Sequence, residues 1–421
     1  QKLFYEHWRG RNPWVNEQMT EIKGFLKDAM KRTQRYRELM AAYNNDEFKV
    51  WEELKRPVKM TVFTYDGDKD TTLSPMDSLN YYKRILNCGM MAMDPTNGHV
   101  KAWIGGINYK YFKFDHISQS KRQPGSTFKP FVYGAAIENE IATPCDLFVD
   151  EPVTFGEEDG LSGGTWTPQN SGGGYSYSSM RLRRAMGLSV NTIAAKLMKQ
   201  LGPEKVAEFA YKCGIESPLR EVPSLCLGAS EVSLFEQVSG YSTMANGGER
   251  IDPIVVLRIT DKVGNVLKEY SPLMKAVIKP ETAFMMTYLL QGAIQEPGGT
   301  AQGLNRSSIV TGNEIGAKTG TTSNNSDGWF MGVTQKIVAG VWVGGDDRSI
   351  HFRTTALGQG SKMAMPAYAK FMEKVYADQS LAVEGYRKMP FTKPDNFTFD
   401  FTCNGKVGVD SLATNQQPVI Q

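Results

Sequence analysis

The sequence predicts an α+β fold in which one antiparallel sheet is assembled from both ends of a domain, with a helical subdomain inserted between them. Three observations carry this expectation. Early in the body, "MMAMDPTNGHVKAWIGG" (residues 90–106) places two apolar runs around a turn and reads as a hairpin. Near the far end, "GAKTGTT", "GWFMGV" and "KIVAGVWVGG" follow one another closely between residues 316 and 345, the spacing of an antiparallel meander. The chain between is mostly helical in periodicity, and strands on either side of a helical block point to α+β rather than a βαβ repeat.

At 421 residues the chain is long for one domain. Its 41% hydrophobic and 22% charged residues place it among ordinary globular proteins rather than disordered or fibrous ones. The net charge of +3 is accounted for by residues 1–56, with 12 Lys and Arg against 9 Asp and Glu. The remainder is balanced, so a nucleic-acid partner has no electrostatic footprint. No run reaches the roughly 18 apolar residues of a membrane span, and no signal peptide opens the chain. The start at Gln1 suggests a piece or processed form of something longer. Five cysteines without C-x-x-C spacing argue against a zinc site or a disulfide scaffold, leave room for one bridge, and do not fix the redox compartment.

Taken in order, residues 17–43 carry Ile22, Phe25, Leu26, Met30, Leu39 and Met40 at helical spacings and predict one amphipathic helix. A second helix is expected from Asn45 or Asp46 to the stop at Pro57. Alternation at Val58, Met60 and Val62 predicts a strand closed by a turn at Asp66–Asp68. Residues 1–70 are therefore assigned to a helical linker and small accessory region. The body, residues 71–387, opens with a capped helix in "SPMDSLNYYKRILNCG", followed by the hairpin. A helix follows Ser126, then a Gly/Ser/Asn-rich surface loop from Gly156 to Ser179. Helical segments come next around 180–186, 191–201 and 203–213, and later the meander. The tail, residues 388–421, suggests short strands in "FTFDF" and "NGKVGV".

Chemistry concentrates in three short patterns. In "RQPGSTFKPFVYGAAIE", Pro130 is tolerated only in the first turn of the helix, so Lys129 lies there too. The helix dipole disfavours a cation at that end and pushes Lys129 towards the neutral amine, three residues from Ser126 on the same face. A neutral amine beside a hydroxyl is a base beside a nucleophile. Ser126 as a plain N-cap is the alternative, but it leaves the lysine unexplained. Ser118 and Lys121 repeat the spacing with no helix after them, so context selects Ser126.

The second pattern is Ser189 and Asn191, which converge only in a loop before a helix; Asn191 as an N-cap is its plainer explanation. The third, "GAKTGTT", puts Lys318, Thr319, Gly320 and Thr321 on a strand, where Gly320 marks a close approach of backbone or ligand. A strand edge beside a cation and two hydroxyls suits an extended peptide ending in a carboxylate. His116 lies nearest the nucleophile, but Lys129 already supplies a base, and a satisfied or exposed histidine is expected. His7, His99 and His351 are scattered and no H-E-x-x-H occurs, so neither metal nor cofactor is expected.

The order serine-lysine, S-x-N, K-T-G resembles the transpeptidase domain of class A penicillin-binding proteins. The likeness extends from about residue 58 to residue 375, including "EPGGTAQGL" and "TWTPQNSGGGYSYSSMRLRRAMGLSVNTIA". It implies a serine β-lactamase and DD-peptidase-like fold with Ser126, Lys129, Ser189 and Lys318 as catalytic residues. It further implies that Asn191, Thr319, Gly320 and Thr321 bind substrate, and that the Ser126 and Thr321 N–H groups form an oxyanion hole. By the same resemblance the substrates are peptidoglycan stem peptides, cross-linked through an acyl-Ser126 with release of D-alanine, and β-lactams acylate the serine. The setting implied is the outer face of the cytoplasmic membrane, facing periplasm or cell wall, possible partners being other cell-wall synthesis proteins. Two departures stand out. The family's glycosyltransferase domain and membrane anchor are not in these residues, and Asp115-His116 stands where the family has Asn-Arg. A D,D-carboxypeptidase or serine β-lactamase shares the nucleophile, and a non-catalytic penicillin-binding sensor shares the fold. The intact motifs, and the lack of a Glu three positions before a Leu-Asn pair, favour transpeptidation.

Overall fold

A computed structural model describes residues 1–403. The single helix expected over 17–43 is instead two, α1 (Phe25–Lys31) and α2 (Gln34–Ala42). Thr33 breaks it: its backbone is extended and its side chain accepts the Tyr36 N–H, so it caps a new helix. The helix α3 (Glu47–Lys55) starts at Asp46, which caps Lys49 N–H as expected. Beyond it β1 (Val58–Thr64) pairs with β2 (Gly67–Leu73). The turn is therefore tighter than Asp66–Asp68, because Gly67 and Asp68 already belong to β2. That strand is largely exposed and polar, so it has no apolar alternation to announce it. Ser74 caps α4 (Pro75–Lys83), with Pro75 in the first turn.

The central sheet joins the two ends of the body, as the sequence predicts. Its strands are β3 (Asn87–Met93), β4 (Val100–Ile104), β5 (Gly316–Thr321), β6 (Asp327–Val333) and β7 (Val338–Gly344). Their order across the sheet is β5-β6-β7-β3-β4, all antiparallel, so β5 and β4 are the edges. Side chains alternate between two cores. Trp329, Met331, Val333 and Trp342 face the helical subdomain. Phe330 and its cross-strand partner Val341 face the other way, against Tyr368 and Met372 of the helix Met365–Ala377. Burying a side chain the size of Phe330 or Val341 stabilises by about 2 kcal/mol.

Five principal helices form the insertion. They are α5 (Lys129–Glu138), α6 (Leu182–Leu188), α7 (Asn191–Leu201), α8 (Pro203–Cys213) and α9 (Leu234–Ala245). A sixth, α10 (Pro280–Gln295), packs on α6 and leads back to β5. Met180 and Arg181, expected at the start of a helix, instead join Ser179 in a strand paired with Leu147–Val149. Among the described tail residues "FTFDF" forms no strand. Its aromatic rings pack on α10 instead, Phe401 stacking 3.9 Å from Tyr288 and Phe397 edge-on to Phe284. A disulfide between Cys145 and Cys403 ties the tail to the loop after α5. "NGKVGV" lies outside the described residues.

Candidate active site

The nucleophile segment adopts a 3₁₀ turn over Gly125–Phe128 that runs directly into α5. Pro130 falls in the first turn of α5 and fixes Lys129 at its start, as the proline constraint requires. Ser126 sits half-buried in the preceding turn and makes no side-chain cap, so the N-cap alternative does not hold. Asn191 is likewise not a cap: the N-cap of α7 is Val190.

Lys129 is completely buried. Its Nζ donates to Ser189 O at 2.6 Å, to Asn191 Oδ1 at 2.6 Å and to Ser189 Oγ at 3.3 Å. Lys318, also completely buried on β5, donates to the same Ser189 Oγ at 2.8 Å and to Thr319 O at 2.9 Å. Two lysines from elements nearly two hundred residues apart thus converge on one hydroxyl. Ser189 reaches them because it closes α6 in the left-handed region, φ 60° and ψ 40°. For a non-glycine residue that conformation costs about 1–3 kcal/mol, and no periodicity in the sequence signals it. No hydrogen bond joins Ser126 Oγ to Lys129 Nζ, and such contacts commonly tighten only with substrate bound.

Burial disfavours the ammonium form of both lysines. It lowers Lys129 from the usual lysine value to about 7, with the Cys226 thiol opposing. Lys318 is held well below its ordinary value, first by burial and then by the charge of Lys129. The dominant cause is therefore desolvation rather than the helix dipole on which the sequence argument rested.

The strand carrying Lys318 touches the nucleophile turn backbone to backbone. A Cβ on Gly320 would stand 2.5 Å from Pro124 O and 2.9 Å from Thr127 Cγ2. One on Gly125, whose φ is +55°, would stand 2.7 Å from Thr321 O. Both glycines are needed for this approach, and Gly320 marks a backbone neighbour as expected. Thr319 is nearly buried; Thr321 Oγ1 accepts the Gly360 N–H at 3.2 Å.

Two supporting hubs escaped sequence reasoning. Asp150, 4% exposed, accepts from Asn170 Nδ2 and Thr192 Oγ1, both at 2.7 Å, and from the Ser176 N–H at 2.8 Å. Burial alone raises its pKa, but these hydrogen bonds outweigh that and leave it below the usual carboxylate value. Asn170 Oδ1 in turn accepts the Asn191 N–H at 2.9 Å, while Asn191 Nδ2 donates to Gln169 O at 2.6 Å. The Gly-rich loop read as surface thus orients Asn191; "TPQN" was the available signal. Asp327, 1% exposed, is the second hub. It accepts from Trp342 Nε1 at 2.9 Å, Ser326 Oγ at 2.9 Å and Thr322 Oγ1 at 3.1 Å, and faces Arg122 at 3.7 Å. It thereby connects the end of the K-T-G strand to the segment leading into Ser126.

His116 departs from expectation. It is 5% exposed, stacks on Trp342 at 4.7 Å, and its Nδ1 has no partner among the described residues. It is neither exposed nor satisfied, because the imidazole is wedged between the sheet and its own loop, where Gly89 leaves room for it.

Comparison with known proteins defines the class. Residues 88–373 match the penicillin binding protein transpeptidase domain, and residues 9–86 match the penicillin-binding protein middle domain. The chain belongs to the penicillin-binding transpeptidase family. It is 34% identical over 321 residues to penicillin-binding protein 2D of Bacillus subtilis (strain 168), covering 74% of this chain and 43% of that protein. It is 32% identical over 294 residues to penicillin-binding protein 1A of Neisseria lactamica, covering 68% and 36% respectively. The chain thus spans about two fifths of the length of these relatives. Among solved structures, penicillin-binding protein 1A from Haemophilus influenzae superposes with a TM-score of 0.63 at 26% identity, over 76% of this chain and 50% of that one. PonA1 from Mycobacterium tuberculosis in complex with penicillin V gives 0.58 at 25%, over 87% and 96%. The fold is that of the penicillin-binding transpeptidase domains.

Proposed function

We propose that this chain is a peptidoglycan D,D-transpeptidase acting through an acyl-Ser126 intermediate. The observation that carries the reading is the convergence of two buried lysines on Ser189 beside the Ser126 turn. A neutral Lys129 has two N–H hydrogens, which Ser189 O and Asn191 Oδ1 take up at 2.6 Å each. Its lone pair then remains to accept the Ser126 proton as Oγ attacks the carbonyl between two terminal D-alanines.

The oxyanion that forms is stabilised by the N–H groups of Ser126 and Thr321, such a donor being worth about 3–4 kcal/mol. Ser189, hydrogen-bonded to both lysines, passes the proton to the leaving D-alanine amine as the peptide bond breaks. Thr319 and Thr321 hold the terminal carboxylate, Asn191 the stem-peptide amide, and Lys318 orients the Ser189 hydroxyl. Gly320 lets the strand close on the nucleophile turn. An amine from a second stem peptide then attacks the acyl ester, forming the cross-link and restoring Ser126. The work is done on the outer face of the cytoplasmic membrane, and the Cys145–Cys403 disulfide supports an oxidising compartment.

The test is a cross-linking assay with stem pentapeptides and an amine acceptor. D-alanine release that depends on acceptor, and its disappearance in Ser126→Ala, are the expected outcome. Release with water alone at an undiminished rate would make the protein a carboxypeptidase, and absence of release with intact penicillin acylation would make it a sensor.

A further inference from the structure

Residues 345–360 leave the end of β7 and come back to the sheet at Gly360, and the mechanism above gives them no part. They touch the molecule on two sides. On one side they meet the start of the chain. Trp14 pairs with Ile350 in an isolated antiparallel bridge, and the Val15 N–H donates to Ser349 O at 2.9 Å. Trp8 Nε1 donates to His351 O at 2.9 Å, and Phe4 of the short helix Lys2–His7 lies edge-on to the Phe352 ring at 5.1 Å. Phe4, Trp8, Trp14, Ile350 and Phe352 are buried together in one apolar cluster.

On the other side the same backbone holds the K-T-G strand and the turn that follows it. Phe352 O accepts Asn325 Nδ2 at 3.3 Å, so one residue gives its ring to the N-terminal cluster and its carbonyl to the turn after β5. A Cβ on Gly358 would stand 2.5 Å from Asn325 Cβ, and one on Gly360 would stand 2.5 Å from Gly320 O and 2.2 Å from Trp329 O. Contacts packed this closely transmit a displacement rather than absorb it.

The path ends on a group of the site, where the Gly360 N–H donates to Thr321 Oγ1 at 3.2 Å. A hydroxyl whose oxygen accepts an N–H keeps its own O–H free to donate. In the reaction proposed above, that donor meets the terminal carboxylate of the substrate.

We propose that Phe4 and Trp8 are positioning residues for the acylation step. They fix His351 and Phe352, these set Gly360, and Gly360 sets the Thr321 hydroxyl. The inference rests on the role given to Thr321 under the proposed function; the brace itself rests on the contacts. Loosening it weakens the hold on the carboxylate and leaves the Lys129 base as it was.

The test is a double-mutant cycle in the full chain, read as the rate of acylation by benzylpenicillin, which carries a carboxylate. Trp8→Phe keeps an aromatic ring in the cluster and removes the N–H that His351 O accepts. Phe4→Leu loosens the Phe352 ring and keeps the test open if Trp8→Phe folds poorly. Each slows acylation about fivefold, and Thr321→Val slows it about tenfold or more by removing a hydroxyl that meets a charge. In the Thr321→Val background, either brace substitution costs less than about twofold further, because the group it positions is gone. The pH midpoint of acylation stays that of the unsubstituted chain, as it must if the base is untouched.

Three results overturn the brace: an unchanged rate in Trp8→Phe or, if that variant does not fold, in Phe4→Leu; the same loss with and without the Thr321 hydroxyl; or a shifted pH midpoint. These leave the transpeptidase reading standing. An undiminished rate in Thr321→Val removes the carboxylate role of Thr321, and the brace with it, so the two failures are separable.

Discussion

The chain contains the spacing serine-x-x-lysine twice within twelve residues, and the two copies have opposite fates. Ser118 is exposed and donates to Asp115 Oδ2 at 2.6 Å, in a turn that leads to no helix. Lys121 is half-exposed and pairs with Glu236 at 3.0 Å. Ser126 lies eight residues further on in a 3₁₀ turn whose continuation buries Lys129 completely and gives it only neutral acceptors. Desolvation without a compensating anion is what separates a lysine base from a surface cation. The pattern is shared, but the environment that makes it chemical is not.

Substitutions at matched positions put this contrast under pressure. The largest effect is expected at the serines: Ser126→Ala abolishes acylation by a fluorescent penicillin, whereas Ser118→Ala leaves its rate unchanged. Next come the lysines. Lys129→Ala lowers the acylation rate by about 10²–10⁴-fold, the usual contribution of a positioned base. Lys121→Ala leaves acylation intact and costs about 1 kcal/mol or less of stability in thermal melts, since its ion pair is half-exposed.

The same contrast has a pH signature. With Lys129 lowered to about 7, the productive amine is lost as pH falls through that value. The acylation rate should therefore drop about tenfold per pH unit below 7 and level off above it. A profile still rising steeply above pH 9 would assign the base to a lysine of ordinary pKa.

A smaller effect is expected at Asp327→Asn, which keeps an acceptor for Trp342 but removes the charge facing Arg122. Acylation should slow by about tenfold to a hundredfold through misplacement of the K-T-G strand end, and the melting temperature should fall because Arg122 is left without its buried anion. Unaltered kinetics would confine Asp327 to a structural part.

The two copies also indicate what a sequence can and cannot convey. The placing of Lys129 at a helix start and the close approach at Gly320 were legible because local rules single them out, a proline in a first turn and a glycine inside a strand, whereas Ser189 and Asn191 were singled out only by the order of the motifs. The sheet built from both ends of the body was legible because β3, β6 and β7 are apolar runs buried on both faces. What stayed hidden depends on contacts distant in sequence. The left-handed turn at Ser189 closes α6 with no glycine or period to announce it. Asp150 and Asp327 look like ordinary loop acids until burial gives them hydrogen-bond donors. The strand Gly67–Leu73 is too polar to show a period, and Thr33 divides a helix whose apolar spacing runs on without interruption. The pairing of Cys145 with Cys403 spans 258 residues, beyond the reach of any local pattern.

The central claim is that Ser126, and not its neighbour in pattern, forms the covalent intermediate and holds it. Intact-mass measurement after exposure to penicillin, followed by peptide mapping over hours, tests this directly. One adduct on the peptide containing Ser126, persisting for hours, is the predicted result. An adduct on Ser118, no adduct at all, or release within seconds would contradict it.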